Sequence, residues 1–226
     1  MRRTLMLLLL AGVTLAGPAT ARERHHKAAE SAQADLPGQF DYYALSLSWS
    51  PSYCAGHTDP GQCGSGRKLG FVLHGLWPQY EKGYPSDCST VVLSADEQRT
   101  YAPMFPSPTL INHEWPKHGT CSGLAPAAYF DLAASLKARV AIPAPFQQPA
   151  QPVRVSNAQF VQAFQQANNT LASNSVLPFC AGGGRFLQEL HACFGKDGSS
   201  RACGAVEIKR SEKSCGQATF LLQSVR

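Results

Sequence analysis

FDYYALSLSW, residues 40–49, alternates Tyr43, Leu45 and Leu47 with Ala44, Ser46 and Ser48. That two-residue period is the pattern of a strand with one buried face. A second strand fits KLGFVLHGLW, residues 68–77, and the Gly-, Pro- and Cys-rich stretch 50–67 between them reads as a loop with His57 exposed. Further on, Ser94-Ala95-Asp96-Glu97 and Ser156-Asn157-Ala158-Gln159 each form a capping box, so each should open a helix. The second box leads into AQFVQAFQQANN, whose Phe160, Phe164 and Ala167 share one face; another amphipathic helix is expected from Ala127 to about Val140, using Tyr129, Leu132, Leu136 and Val140. RFLQELHACF (185–194) and GAVEIKR (204–210) are strand-like, with His191 a strand histidine. The four prolines of residues 141–153 fit a surface loop inside one domain. Strands and helices interleave without regular βαβ units or internal repeats. The expectation is an α+β fold, a single domain with a largely antiparallel β-sheet packed with helices and stapled by disulfides.

The boundaries of that domain follow from what flanks it. Arg2 and Arg3 precede an apolar run from Leu5 to Leu15 and the small residues Ala19-Thr20-Ala21, so residues 1–21 read as a secretory signal peptide. A membrane span needs about 20 apolar residues, and no stretch supplies them. Residues 22–38, which include His25 and His26, are charged and lack apolar periodicity, so they read as a mobile leader to a folded domain at 39–226. With 44% hydrophobic and 15% charged residues in 226, the chain can bury a substantial core and is no disordered segment. Removing residues 1–21 takes two arginines and lowers the formal charge from +5 to +3, too little to announce a nucleic-acid binder. The eight cysteines are an even set in an exported chain, and zinc-type Cys-x2-Cys pairs are absent, so four disulfides are expected. Spacing favours only Cys54–Cys63 and a nested C-terminal set, leaving other pairings open.

Two stretches combine histidine with glycine, tryptophan and charge: FVLHGLWPQY at 71–80 and INHEWPKHGTC at 111–121. The second packs His113, Glu114, Lys117 and His118 into six residues. A zinc hydrolase would place two histidines four apart as H-E-x-x-H. Here they are five apart, about 140° around an ideal helix, whereas Glu114 with His118 and His113 with Lys117 differ by only about 40°. The pattern predicts two side-chain pairs and no metal focus. Pro116 is comfortable only in a first turn, so the helix should begin close to His113, with free N–H groups aimed at an anion such as phosphate. Cleaving a phosphate ester by attack of a hydroxyl needs a base for the hydroxyl proton, an acid for the departing oxygen and cations for the phosphorane. Imidazoles with ordinary pKa of about 6.5 can supply both partners, although the residue types alone do not say which histidine takes which role. Trp77, beside His74, is a candidate substrate-contact residue through its flat ring, while Trp49 and Trp115 read as packing residues.

HGLWP with His74, followed about 40 residues later by HEWPKHGTC with His113, Glu114, Lys117, His118 and Cys121, closely resembles the two active-site segments of the ribonuclease T2 family. The resemblance extends to FDYYALSLSWSPSYC and, more weakly, to the C-terminal cysteines, covering most of residues 40–220. It implies an α+β fold, secretion or a periplasmic location, and metal-independent endoribonuclease activity through a 2′,3′-cyclic phosphate. Under it His118 is the base and His74 the acid, Glu114 and Lys117 polarise or stabilise the phosphate, and His113 binds it. It implies disulfides Cys88–Cys121 and Cys180–Cys215, with Cys193–Cys203 nested inside the latter and Cys54–Cys63 left over. No cofactor or metal is expected. The expected partner is single-stranded RNA, read with broad base tolerance by a monomer that does not engage a membrane. Gln79 stands where some family members carry an acid, so any base preference tied to that acid does not transfer. The competing readings are an exported binding protein or toxin component on the same scaffold, and a metal-dependent phosphodiesterase.

Overall fold

The computed structural model describes residues 35–225. The expected signal peptide and residues 22–34 of the expected leader lie outside the described residues. In chain order the elements are β1 (Tyr42–Trp49), α1 (Ser50–Cys54), α2 (Pro60–Cys63), β2 (Phe71–Gln79), α3 (Ala95–Tyr101), α4 (Ile111–Lys117), α5 (Pro126–Ala138), α6 (Ala144–Gln147), β3 (Val153–Val155), α7 (Asn157–Ala167), β4 (Val176–Ala181), β5 (Phe186–Phe194), α8 (Ala205–Ser214) and β6 (Phe220–Leu222). Among the described residues the strands form one sheet in the order β2-β1-β5-β6-β3, with β4 also paired to β5. β1 runs antiparallel to both β2 and β5, and only the short β5–β6 contact is parallel. The α+β reading holds.

β1 decides what lies on each side of this sheet. Tyr43, Leu45, Leu47 and Trp49 enter the main core, where they meet Tyr129 and Phe130 of α5 and Phe160 and Phe164 of α7. The opposite face was expected to be open, yet Ala44 and Ser46 are fully buried too. Their small side chains leave room for the large residues paired beside them: Trp77 lies across from Ala44, His191 from Ser46 and Glu189 from Ser48.

A helix covers that second face where the sequence suggested a strand. Residues 205–214 form α8, and the apparent alternation of Val206 and Ile208 does not survive, because Val206 is exposed while Glu207 and Ser211 turn inward. Ser211 Oγ donates to the Pro178 carbonyl at 2.6 Å, and disulfides flank the helix at Cys203 and Cys215. Tertiary contacts thus overrode a weak local period.

Other expectations were met or sharpened. Both capping boxes form, at Ser94 with Glu97 and at Ser156 with Gln159. α5 buries Tyr129, Phe130, Ala133 and Leu136, while Leu132 is only half-buried and Val140 is buried beyond the helix end. The 50–67 loop contains two short helices, the second capped by Asp59, whose Oδ1 accepts from the Gly61 N–H at 2.7 Å. Of the leader, residues 35–38 are tied to the domain: Tyr80 Oη donates to Asp35 at 2.9 Å and the Gly38 N–H to the Cys121 carbonyl at 2.9 Å.

All eight cysteines pair, as Cys54–Cys63, Cys88–Cys121, Cys180–Cys215 and Cys193–Cys203. Cys88–Cys121 bridges a separation of 33 residues and joins the loop after β2 to the turn after α4. The loop-entropy relation makes such a closure worth about 4 kcal/mol. A Cys88→Ala/Cys121→Ala chain should therefore lose about that much in a urea titration. Its activity should fall further than its unfolded fraction explains, because the link also holds the end of α4.

Candidate active site

A local irregularity of the sheet sets the first histidine. β1 and β2 pair in step from Tyr42 with Gln79 to Ser46 with Gly75, after which Leu47 pairs with Leu73. His74 is therefore the extra residue of a β-bulge, a device that redirects a side chain relative to the regular pleat. It brings the ring to the face that carries Trp77, whose ring centroid is 5.0 Å away, and Glu189, whose Oε1 is 2.7 Å from His74 Nδ1. Next to it, a Cβ on Gly75 would overlap Glu114 Oε2 and Trp77 Nε1, so only glycine allows the strand and helix to approach this closely.

α4 supplies the opposing side. Buried Ile111 and Trp115 anchor it, with Trp115 Nε1 donating to the Val91 carbonyl at 2.7 Å and its ring packed against Tyr129. The helix begins at Ile111, two residues before His113, and Pro116 falls in its second turn. The proline is accommodated because the helix ends one residue later. The expected anion site of free N–H groups does not form. Asn112 donates to the Thr109 carbonyl at 3.1 Å, and His113 and Glu114 both donate to Leu110 at 2.9 Å. Backbone N–H groups at this end of α4 are therefore not free to hold an anion.

Glu114 sits between the two histidine segments and is 1% exposed. Its Oε2 accepts from Trp77 Nε1 at 2.8 Å, and its Oε1, without a hydrogen-bond partner among the described residues, lies 3.6 Å from His74 Nε2. Burial pushes its carboxyl up to about 7, against the opposing pull of the His74 charge and the Trp77 bond. His118 closes the helix with φ −121° and ψ −46°, and its ring lies 5.1 Å from Trp77 and 6.0 Å from exposed Tyr84. Burial, then the cationic neighbours His113 and Lys117, push His118 down to about 3. His74 goes the other way. Burial works to lower it, but the hydrogen bond and charge of Glu189, joined by Glu114, hold it above the ordinary histidine value. Lys117 is steadied beside His118 by Asp87, whose Oδ2 is 3.6 Å from its Nζ, immediately before the Cys88–Cys121 link.

The structure thus gathers His74, Trp77, Glu114 and His118 around one indole, with His113 6.3 Å from His118 and Lys117 on its flank. A cleft of about 610 Å³ opens beside His74 and His113, and Tyr53, His57 and Glu189 line it. His57, expected to be a plain surface residue, is exposed but stacks flat on Tyr53 at 4.1 Å as part of that wall. Glu189 and Glu207 were not singled out from sequence, and His191 was read only as a strand histidine, which it is. The one available signal for Glu189 and His191 was a glutamate and a histidine two apart, hence on one face, in the largely apolar LQELHACF.

Ideal helix geometry kept His113 and His118 from a common focus, and the folded chain departs from this. Because His118 leaves the helix, His113, Glu114 and His118 each offer a ligand atom within 4.8 Å of the others, a spacing a single divalent ion could span.

The profile of the Ribonuclease T2 family matches residues 40–203. A ribonuclease of Aeromonas hydrophila is 40% identical over 204 residues, 84% of this chain and 88% of that protein. Among solved structures, an RNase-related protein from Calystegia sepium shares the fold with a TM-score of 0.65 at 19% identity, covering 83% of this chain and 98% of that one. A variant of RNase MC1 in complex with 5′-UMP does so with a TM-score of 0.61 at 23% identity, covering 80% and 97%.

Replacing Gly75 by alanine should force Glu114 and Trp77 away from β2. We expect a fall in kcat of about 10²-fold, the lower end for losing a proton-transfer arrangement. A circular-dichroism spectrum should stay unchanged, and an alanine variant with full activity would show that the close approach is dispensable.

Proposed function

The chain belongs to the ribonuclease T2 family and is an endoribonuclease, and from that premise we propose that it cuts single-stranded RNA through the ribose 2′-hydroxyl. The observation that carries this reading is the opposite electrostatic setting of two histidines around one buried carboxylate. His74, beside Glu189 and Glu114, is held above the ordinary histidine range and retains its proton. His118, buried next to His113 and Lys117, is pushed down to about 3 and is neutral in mild acid. A neutral imidazole accepts a proton and a cationic one donates it. The setting therefore supports His118 as base and His74 as acid, a direction that residue types alone leave open.

In the first step His118 takes the proton of the 2′-hydroxyl as that oxygen bonds to phosphorus. The bond from phosphorus to the 5′-oxygen breaks, and His74 gives its Nε2 proton to the departing oxygen. A 2′,3′-cyclic phosphate remains. Water then attacks the cyclic ester with the roles reversed, His74 taking a proton from water and His118 returning one to the 2′-oxygen, to leave a 3′-phosphate. Lys117 and His113 offset charge on the phosphorane. Glu114, with its carboxyl near 7, can hold a proton and donate it to a phosphoryl oxygen. No step requires a metal.

The cleft lined by His74 suits the nucleoside that leaves with the 5′-oxygen, while Trp77 and exposed Tyr84 on the His118 side offer ring surface for the upstream base. Gln79 is buried and its Nε2 donates to the Pro78 carbonyl at 3.1 Å, which supports broad base tolerance because no charge there reads a base edge. The RNase MC1 complex with 5′-UMP supports nucleotide binding on this fold. The N-terminal signal pattern together with four disulfides supports a secreted or periplasmic enzyme. Among the described residues no helix is long and apolar enough to cross a membrane.

In chelator, the protein should cut RNA to cyclic-phosphate ends and leave DNA of the same sequence whole. His74→Ala and His118→Ala should each lower kcat by about 10² to 10⁴. The pH profile of kcat/KM should fall on the acid side as His118 gains a proton near 3, and on the basic side as His74 loses its proton above the ordinary histidine value. Cleavage of DNA, loss of activity in chelator, or mild losses at both histidines would each defeat the proposal.

A further inference from the structure

Behind His74 runs a continuous chain of polar contacts that the proton transfers above do not use. Glu189 Oε1 is 2.7 Å from His74 Nδ1, and Glu189 Oε2 is 3.2 Å from His191 Nε2. His191 Nδ1 is 2.8 Å from Glu207 Oε1, and Arg210 Nη1 donates to Glu207 Oε2 at 2.7 Å. From these contacts we infer that Glu189 is the positioning residue of the acid His74, and that His191 and Glu207 hold Glu189 in place as one relay reaching from the active site to α8. The inference rests on the assignment of His74 as the acid.

The argument begins with the ring nitrogens. A carboxylate oxygen facing Nδ1 requires a proton on that nitrogen, so Nε2 is left to carry the transferable proton. Nε2 is also the nitrogen that faces the site, 3.6 Å from Glu114 Oε1. Without Glu189 the imidazole could carry its proton on the wrong nitrogen or turn in the bulge. A carboxylate bound to one histidine alone would also hold the imidazolium too firmly for a good acid. Here Glu189 divides its two oxygens between two imidazoles, and the charge of His191 opposes protonation of His74. His191, in turn, keeps its proton because Glu189 and Glu207 outweigh the effect of its burial.

The fold is built to keep these groups in line. Glu189 and His191 share one face of β5, opposite Ser48 and Ser46, whose small side chains leave the space. Phe179 and Trp77 wall the His191 ring at 4.2 and 5.2 Å. Glu207 comes from α8, and the bonds Cys193–Cys203 and Cys180–Cys215 fasten both ends of that helix to β5 and β4. The family profile ends at residue 203, so Glu207 and Arg210 lie beyond the segment it matches.

The test measures kcat and KM for E189Q, E207Q and the double variant on RNA and on a nucleoside 3′-(4-nitrophenyl phosphate), whose nitrophenolate departs without a proton. On RNA, E189Q should lower kcat by about 10²-fold with KM changed by less than about 2-fold. E207Q should lower kcat about 10-fold, and the double variant should be no slower than E189Q because the relay acts as a unit. On the aryl ester all three, and H74A, should approach the unaltered enzyme. A purely structural role would slow both substrates alike, so equal losses on RNA and ester, additive losses in the double variant, or normal kcat for E189Q on RNA would overturn the inference. If H74A itself stayed slow on the aryl ester, the assignment of the acid would fall instead.

Discussion

The hydrogen bond from Trp77 Nε1 to Glu114 Oε2 joins strand β2 to helix α4, and the rest of the site depends on it. A carboxyl taken out of water is costly unless it is bonded or neutral, and Glu114 is served both ways, by the indole N–H and by a carboxyl raised to about 7. With the other oxygen 3.6 Å from His74 Nε2, it bridges the two histidine segments. Gly75 makes the contact possible through the absence of a Cβ, and Cys88–Cys121 holds the far end of α4. The motif residues His74, Gly75 and Trp77 on one side and Glu114, Lys117 and His118 on the other are thus parts of one junction.

The sheet divides the labour of the molecule between its faces. One side packs aromatic and aliphatic residues from β1, α5 and α7 into the core and provides stability. The other trades much of that apolar burial for Ser46, Ser48, Glu189 and His191, polar groups that β4 and α8 screen from water. Such groups are tolerated because each carboxylate meets an imidazole or a guanidinium. Disulfides at both ends of α8 restrict the motion that would expose them.

Opposite treatment of two identical side chains is the second consequence of this layout. His74 has carboxylates for neighbours and His118 has cations, so one imidazole keeps its proton while the other sheds it. Lys117, on the flank of this cluster, is one of the reasons for His118 to be neutral. Asp87 limits its reach from the loop that the disulfide anchors.

Local signals were sufficient for the alternating strand at 42–49, both capping boxes and the α+β class, because each is a matter of residues a few positions apart. The strand reading of 204–210 failed because its outcome was decided by a partner far along the chain, the β4–β5 surface under α8. The free helix start near His113 failed locally, because α4 begins two residues earlier and the Thr109 and Leu110 carbonyls already occupy those N–H groups. The meeting of His113 with Glu114 and His118 likewise required knowing that the helix ends at Lys117. Residue types and spacing alone picked out two imidazoles, a carboxyl and a lysine on two short segments. Only the folded chain decided which imidazole holds the proton, because that choice depends on Glu189, 115 positions from His74 in sequence and 2.7 Å from it in space.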